Sequence, residues 1–532
     1  MDFRPSAYQA AIFDFVRSGE GNAVVEAVAG SGKTTTIVES MKLLAFGKRA
    51  LFLAFNKAIA DVLRQRCPRN ATASTFNSFG WRLCRNRYRS VQFESRKVDI
   101  ILRGSVFDME QRNSRNLYYT HRAAIRKLVD LLRCHAVLSD ADVAGWVPEF
   151  CKKFSIEAPY TDASFLELVE EAYYYTLSTR AQMMDYADQV FVPVLDSIQL
   201  PRFDMVFVDE GQDMNPVQIE LVRRMAAVNG TRVVAVADRH QAIYGFRGAD
   251  LSSVDNIIAA VEAVELPLSI CYRCPVSVVE EAKRIVPQIE PSETAPVGQV
   301  RSIKQADFGG EVQPGDFVLC RLNAPLVQMC FELIKSRIPA RMRGRDIGNN
   351  LWALLRKIGR TMRVREETLR CTEIEDIRVP FNDYLAAEYM RRMSMAEDEQ
   401  DMDAVVSFLD RMKTLKILLS RCSVVGDLDG ELAALNLQEE CISDKYVDDS
   451  AVMCSSVHKA KGMEAPRVFV LRPDLMPLPW CQSDWQRQQE LNLKYVAITR
   501  AQEELVWVHD SFSAQAGGKG AQTGFDAKAC RL

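Results

Sequence analysis

No stretch of this 532-residue chain approaches the ~18 consecutive apolar residues that a bilayer-crossing helix needs, and that excludes a membrane-spanning protein. The opening residues, MDFRPSAYQA, have neither a charged n-region nor an apolar h-region, so a cytoplasmic rather than a secreted protein is expected. Neither sign of charge is in excess: 67 Lys and Arg stand against 70 Asp and Glu, a net charge of -3. A bulk polycation that coats nucleic acid is thereby excluded, and any phosphate binding must be local. Histidine is scarce, at five residues, and the 14 cysteines are scattered apart from the single pair Cys271 and Cys274. With no second CxxC, a zinc site or a disulfide scaffold is not expected, and the thiols read as reduced and mostly buried. There is no short-period repeat and no Pro-rich or Ser-rich linker. The only low-complexity tract is the Gly-rich AQAGGKGAQTGFDAK near the C-terminus. No Ser, His and Asp arrangement suggests a nucleophilic triad.

What is present is a soluble globular composition, 48% apolar and 26% charged, long enough for roughly three or four domains. Short runs rich in β-branched residues read as buried parallel strands: AVVEAV at 23–28, ALFLAF at 50–55, MVFVD at 205–209 and RVVAVAD at 232–238. A second set follows at 316–321 (DFVLCR), 467–472 (RVFVLR) and 504–509 (ELVWVH), so two α/β units are implied. Between members of each set the pattern turns helical, at about 89–185 and 351–449, which predicts two helical insertions. The run from Arg341 to Arg370 has nine basic against three acidic residues and reads equally as a duplex-phosphate contact or a solvated face.

Chemistry enters with Ala27-Val28-Ala29-Gly30-Ser31-Gly32-Lys33-Thr34-Thr35, directly after one strand and opening a helical run. Glycines let backbone N–H groups turn inward at a helix N-terminus and cradle phosphate; Lys33 can reach the β and γ phosphates, and the Thr34 hydroxyl can ligate magnesium. A nucleotide hydrolase also needs carboxylates at the end of a neighbouring strand, and MVFVDEGQD supplies them. Asp209 is placed to hold magnesium and Glu210 to act as general base for the attacking water.

Further segments recur in a fixed order: Asp238-Arg239-His240-Gln241-Ala242-Ile243-Tyr244-Gly245-Phe246-Arg247-Gly248-Ala249, Cys271-Tyr272-Arg273-Cys274-Pro275, SVHKAKGME at 456–464 and NLKYVAITRA at 492–501. Together with the phosphate loop these resemble the motifs of the UvrD/Rep family of superfamily 1 DNA helicases, over both α/β units. AFNKAIAD, TFNSFG, RGRDIG and LNLKYVAITRA look closest to the compact branch that includes the F-box DNA helicases and their bacterial and phage relatives, although no F-box is apparent. The resemblance implies an α/β fold of two RecA-like motor domains, 1A at 1–88 and 186–272 and 2A at 273–350 and 450–532. Helical insertions 1B at 89–185 and a reduced 2B at 351–449 complete it.

It also implies roles. Gln9 would read the adenine, Tyr272 would stack on it, and Arg273 would reach the γ phosphate. Gln241 would sense that phosphate, Glu464 would touch the ribose, and Arg500 would serve as an arginine finger. On the nucleic-acid side Phe55, Asn56, Lys57, Thr75, Phe76, Tyr244, Phe246, Arg247 and His458 resemble single-strand contacts. Aromatic rings suit a motor that must step along any sequence, because they stack on every base. For Phe55 and Phe76 core packing is an equal alternative, and for His458 a purely structural role is the lesser one. Ala27 stands for a glycine, Asn77 for a frequent His and Phe246 for a frequent Trp. The expected activity is ATP-dependent and magnesium-dependent 3′ to 5′ translocation on single-stranded DNA with unwinding at single-strand/duplex junctions. The alternative is a translocase that displaces bound proteins. Expected partners are DNA and a single-strand binding protein or recombinase, in a bacterial or phage-infected cytoplasm, with RNA open as a track.

Overall fold

A strand as uniformly apolar as ALFLAF is stable in a sheet only where helices cover both faces. The computed structural model describes residues 4–45, 47–108, 112–138, 142–154, 156, 158–228, 230–243, 252–395, 399–435, 450–478, 481, 484–510 and 530–532, and it builds that arrangement twice. The chain divides into two units, Met1–Ser269 and Ile270–Leu532.

In the first unit the strands are β1 (Asn22–Ala27), β2 (Ala50–Ala54), β3 (Ala71–Thr75), β4 (Gln92–Phe93), β5 (Met183–Met184), β6 (Met205–Val208), β7 (Arg232–Ala237) and β8 (Ala263–Leu268). Six form one parallel sheet in the order β3-β2-β6-β7-β1-β8. Side chains alternate between its faces. Val24, Leu51, Leu53, Val206 and Val208 enter one core, while Val25, Phe52 and Phe207 enter the other. Because β7 lies between β6 and β1, the turn after β7 is held between the carboxylates that follow β6 and the loop that follows β1. Open α/β sheets bind ligands at such crossover points, beyond the carboxyl ends of the strands.

The helices Lys97–Asp108, Arg112–Cys134, Val143–Lys153 and Ala163–Ser178 fall within the expected first insertion and share the first of these cores. At their root β4 pairs with β5. An ionic cluster is buried beside it: Arg133 bonds Asp185 and Asp188 at 2.8 Å, and Lys97 bonds Asp188 at 2.6 Å. Arg133 and Lys97 are both fully buried. These carboxylates belong to the start of the helix Tyr186–Leu195, which packs on the helix Phe76–Arg87. Gly80 permits that approach, since a Cβ there would lie 1.9 Å from the Gln189 carbonyl oxygen.

The second unit holds β9 (Ile270–Cys271), β10 (Glu290–Pro291), β11 (Gln299–Lys304), β12 (Phe317–Cys320), β13 (Ala340–Met342), β14 (Val452–Ser456), β15 (Ala465–Leu471) and β16 (Ala501–His509). Its six-stranded parallel sheet runs β11-β16-β15-β12-β14-β13. Helices Arg345–Thr361, Ile374–Met395 and Glu399–Leu419 pack Leu355, Ile358, Phe381 and Leu415 into the same core as Val318, Val452 and Phe469 of the sheet. Asp410 of this helical segment accepts the N–H groups of Asn323 and Ala324, at 3.0 and 2.9 Å. It thereby caps the helix Asn323–Lys335 from outside that helix.

Candidate nucleotide and nucleic-acid sites

The loop after β1 turns twice through the left-handed region, at Gly30 (φ 69°) and Gly32 (φ 76°), where a side chain would be strained. Gly32 caps the helix Lys33–Lys42, whose first helical bond runs from Thr36 N–H to the Gly32 carbonyl at 2.8 Å. The helix geometry therefore leaves the N–H groups of Lys33, Thr34 and Thr35 directed out of its first turn, the arrangement that binds anions. Ser31 Oγ, fully buried in this loop, has no hydrogen-bond partner among the described residues. An orphaned buried hydroxyl beside those N–H groups is what a phosphate oxygen would satisfy. Ala29 is buried beneath the loop.

Lys33 Nζ donates to the Val28 carbonyl at 3.2 Å and lies 3.6 Å from Asp238 Oδ2. Thr34 Oγ1 donates to Asp209 Oδ2 at 3.3 Å, which joins the two expected magnesium ligands. Burial, with the charge of Glu210 alongside, pushes the Asp209 carboxyl up to about 7, against the opposing pull of Lys33. A divalent cation would supply the charge that this buried carboxylate lacks, so the donor set fits magnesium. Glu210 follows in the left-handed conformation (φ 53°, ψ 44°), and its carboxylate accepts from Gln212 Nε2. Gln241 Nε2 donates to Asp238 Oδ2 at 2.7 Å. Gln9 is buried against the loop. Its Oε1 accepts from Ser6 N–H at 3.0 Å in a capping box, and its Nε2 donates to Thr36 Oγ1 at 3.1 Å.

The second unit gathers Arg273, Glu464 and Arg500. Arg273 pairs with Glu464 and donates to the Thr499 carbonyl at 3.3 Å. Arg500 is 1% exposed and donates to the carbonyls of Val496 (2.9 Å) and Met463 (3.1 Å). Burial, and Arg273 near it, lower Arg500 to about 10, so it stays charged at neutral pH. Tyr272 beside them is half exposed. The flanking cysteines are buried, with Cys271 Sγ accepting the Cys274 N–H at 3.4 Å.

On the expected nucleic-acid side, β2 and β3 pair Ala54 with Thr75, which brings Phe55, Asn56 and Lys57 to the same sheet end as Thr75. Phe55 is half-buried and Lys57 exposed. Asn56 and Thr75 serve as helix caps, accepting from the N–H groups of Ile59 and Ser78. Phe76 requires a correction: at 2% exposed it belongs to the core with Phe79 and Leu83, and it has no face for a base. His458 is pushed down to about 3 by its desolvated surroundings and by Arg321, so it is neutral at physiological pH. Tyr244, Phe246 and Arg247 lie outside the described residues.

Gln212, Asp238, Tyr186, Phe93 and Arg96 escape the sequence reading. Gln212 and Asp238 bridge the loops, although both stand inside segments that sequence singled out. Tyr186 is 62% exposed, stacks edge-on with the 42% exposed Phe93 at 4.8 Å, and is anchored by Asn77 Nδ2 donating to its carbonyl at 2.7 Å. Arg96, which lines the same cavity as Asn77 and Tyr186, is also exposed. The available signal was an aromatic at the expected end of the helical insertion, close in space to the TFNSF segment.

Residues 9–261 match the model of the UvrD/REP helicase N-terminal domain and residues 316–510 that of the UvrD-like helicase C-terminal domain. F-box DNA helicase protein 1 of Schizosaccharomyces pombe is 24% identical over 91% of this chain and 55% of its own length. F-box DNA helicase 1 of Gallus gallus is 21% identical over 91% of this chain and 47% of its own. The ATP-dependent DNA helicase PcrA of Staphylococcus aureus is 21% identical over 93% and 82%. The chain thus spans about half the length of the two F-box relatives.

Proposed function

The chain belongs to the UvrD/Rep-like helicase family, and from that premise we propose that it is an ATP-driven motor that moves 3′ to 5′ along single-stranded DNA and separates duplex ahead of it. The observation that carries the reading is the joining of Thr34 to Asp209, and of Lys33 to Asp238, at the ends of three adjacent strands. Lys33 and the loop N–H groups hold the phosphates, Thr34 and Asp209 hold magnesium, and Glu210 takes a proton from the attacking water. Magnesium, when bound, offsets charge on the phosphates. Arg273 and Arg500 contribute to turnover from the second unit, and Gln241 reports the state of the γ phosphate. Tyr186 with Phe93 provides a stacking surface for bases, and Arg96 provides charge for the backbone. The direction of movement rests on the likeness of the segment around Gln241 to UvrD-like motors.

Strand separation with ATP on duplexes bearing either a 3′ or a 5′ single-stranded tail tests this, with Lys33→Ala as the blank. Unwinding from the 3′ tail alone is the expected result. Unwinding from the 5′ tail would reverse the polarity. DNA-stimulated hydrolysis without unwinding would mean a translocase that displaces bound protein.

A further inference from the structure

The phosphate loop, the carboxylates after β6 and the turn after β7 arise from three different strands, and two side chains tie them together. Asp238 is one, since its carboxylate takes Gln241 Nε2 at 2.7 Å, the His240 N–H at 3.1 Å and Lys33 Nζ at 3.6 Å. Gln212 is the other. It is 0% exposed; its Nε2 donates to Glu210 Oε2 and its Oε1 accepts the Asp238 N–H at 2.9 Å. One amide therefore runs from the water-activating carboxylate to the backbone of the residue on which Lys33 and Gln241 converge.

Chemistry narrows what can occupy this position. A carboxylate could accept from Asp238 but not donate to Glu210, and an apolar side chain could do neither, whereas a carboxamide does both and stays neutral. Glu210 needs such a partner, because its left-handed backbone (φ 53°, ψ 44°) is one that a side-chain-bearing residue keeps only when its surroundings fix it. The turn is also closely packed on its neighbours. A Cβ on Gly211 would lie 3.3 Å from both Ala237 Cβ and Ile257 Cδ1, so the turn is seated directly on the end of β7.

We infer that Gln212 is a positioning residue for hydrolysis. It fixes the aim of the Glu210 carboxylate and ties it to Asp238, so that the general base and the Gln241 sensor shift together. This rests on the ATP-hydrolysing reading of the site and adds the group that links its base to its sensor. Nucleotide binding, made by the loop, does not depend on the amide; the rate of the chemical step does.

The test uses the full chain, single-stranded DNA at saturation and two variants. Gln212→Met keeps the length and loses both bonds; Gln212→Glu keeps the acceptor for Asp238 N–H but sets a carboxylate against Glu210. Both are expected to lower kcat by about 10- to 100-fold, the cost of misplacing a reacting group by about 1 Å, while KM for ATP stays within about 3-fold. Binding of a non-hydrolysable ATP analogue and the melting curve establish that each variant is folded, and if Gln212→Met does not fold, Gln212→Glu decides. Wild-type kcat in Gln212→Glu, or a rise in KM with kcat unchanged, overturns the inference. Glu210→Gln serves as the control: normal turnover in that variant would sink the reading of the whole site, and this inference with it. A dead Glu210→Gln beside fully active Gln212 variants removes the inference alone.

Discussion

Phe76 and Tyr186 are both aromatic, sit near the same helix and have opposite exposures, 2% and 62%, so substituting each separates packing from recognition. Phe76→Ala should cost ~3–5 kcal/mol of stability, as buried Phe truncations do. Tyr186→Ala should leave the melting temperature unchanged and weaken single-strand affinity by ~1–3 kcal/mol, the worth of one base–aromatic stack. Equal DNA affinity in wild type and Tyr186→Ala would remove the stacking surface. Arg133 poses the complementary case of a buried charge held by Asp185 and Asp188. Arg133→Met should destabilise the first unit by ~3–5 kcal/mol in urea unfolding, because buried Asp185 loses its counter-charge and Asp188 is left with Lys97 alone; a loss below ~1 kcal/mol would show that water reaches the cluster. At this scale the sequence was only partly legible. The places of Lys33, Thr34, Asp209 and Glu210 beyond the ends of β1 and β6 could be read, because spacing reveals strand ends. Asn56, Thr75 and Phe76 could not be sorted into caps, core or contacts, since the same letters serve all three and only the face each side chain takes decides.

Among elements, the strands read from sequence, β1, β2, β6, β7, β12, β15 and β16, are interior to their sheets, where both faces must be apolar. The four outer strands, β3, β8, β11 and β13, left no such run: ATAST is small and polar, and AVELPL exposes Val264 and Glu265. The interior β14 was also missed, because VMCSS ends in two serines that are buried all the same. The turn into β12 carries a pH signature. Burial pushes Asp316 up to about 6 from an ordinary value of 3.8, even though the Gln313 N–H donates to it at 2.8 Å. The folded state therefore holds this proton longer than the unfolded chain does, and stability is lost as pH rises from about 4 through about 6. Asp316→Asn removes the titration and keeps an acceptor for Gln313. Its melting temperature relative to wild type should climb across that window and level off above it; a difference that is flat with pH would mean that Asp316 does not titrate there.

For the whole molecule, the consequential fact is how the candidate residues are partitioned. Gln9, Lys33, Thr34, Asp209, Glu210 and Gln241 belong to Met1–Ser269, and Tyr272, Arg273, Glu464 and Arg500 to Ile270–Leu532. The first unit has cores on both faces of its own sheet, so a chain ending at Ser269 carries what it needs to fold. It also carries the loop, Lys33, Thr34 and Asp209 proposed to hold phosphate and magnesium, and it lacks Tyr272, expected at the adenine, and both arginines proposed to speed the chemistry. Binding and turnover should therefore come apart. Residues 1–269 expressed alone should fold cooperatively and bind magnesium ATP, and should hydrolyse it no faster than full-length Arg500→Ala. That variant should fall by about 10³-fold, toward the low end of what an arginine finger supplies in related phosphoryl transfer. Isothermal titration and steady-state hydrolysis of the two proteins side by side decide the matter. If the isolated unit hydrolysed ATP at the full-length, DNA-stimulated rate, the arginines of the second unit would have no part in the reaction. If hydrolysis needs both units, neither can spend ATP by itself, which is the condition for turnover to drive a motor.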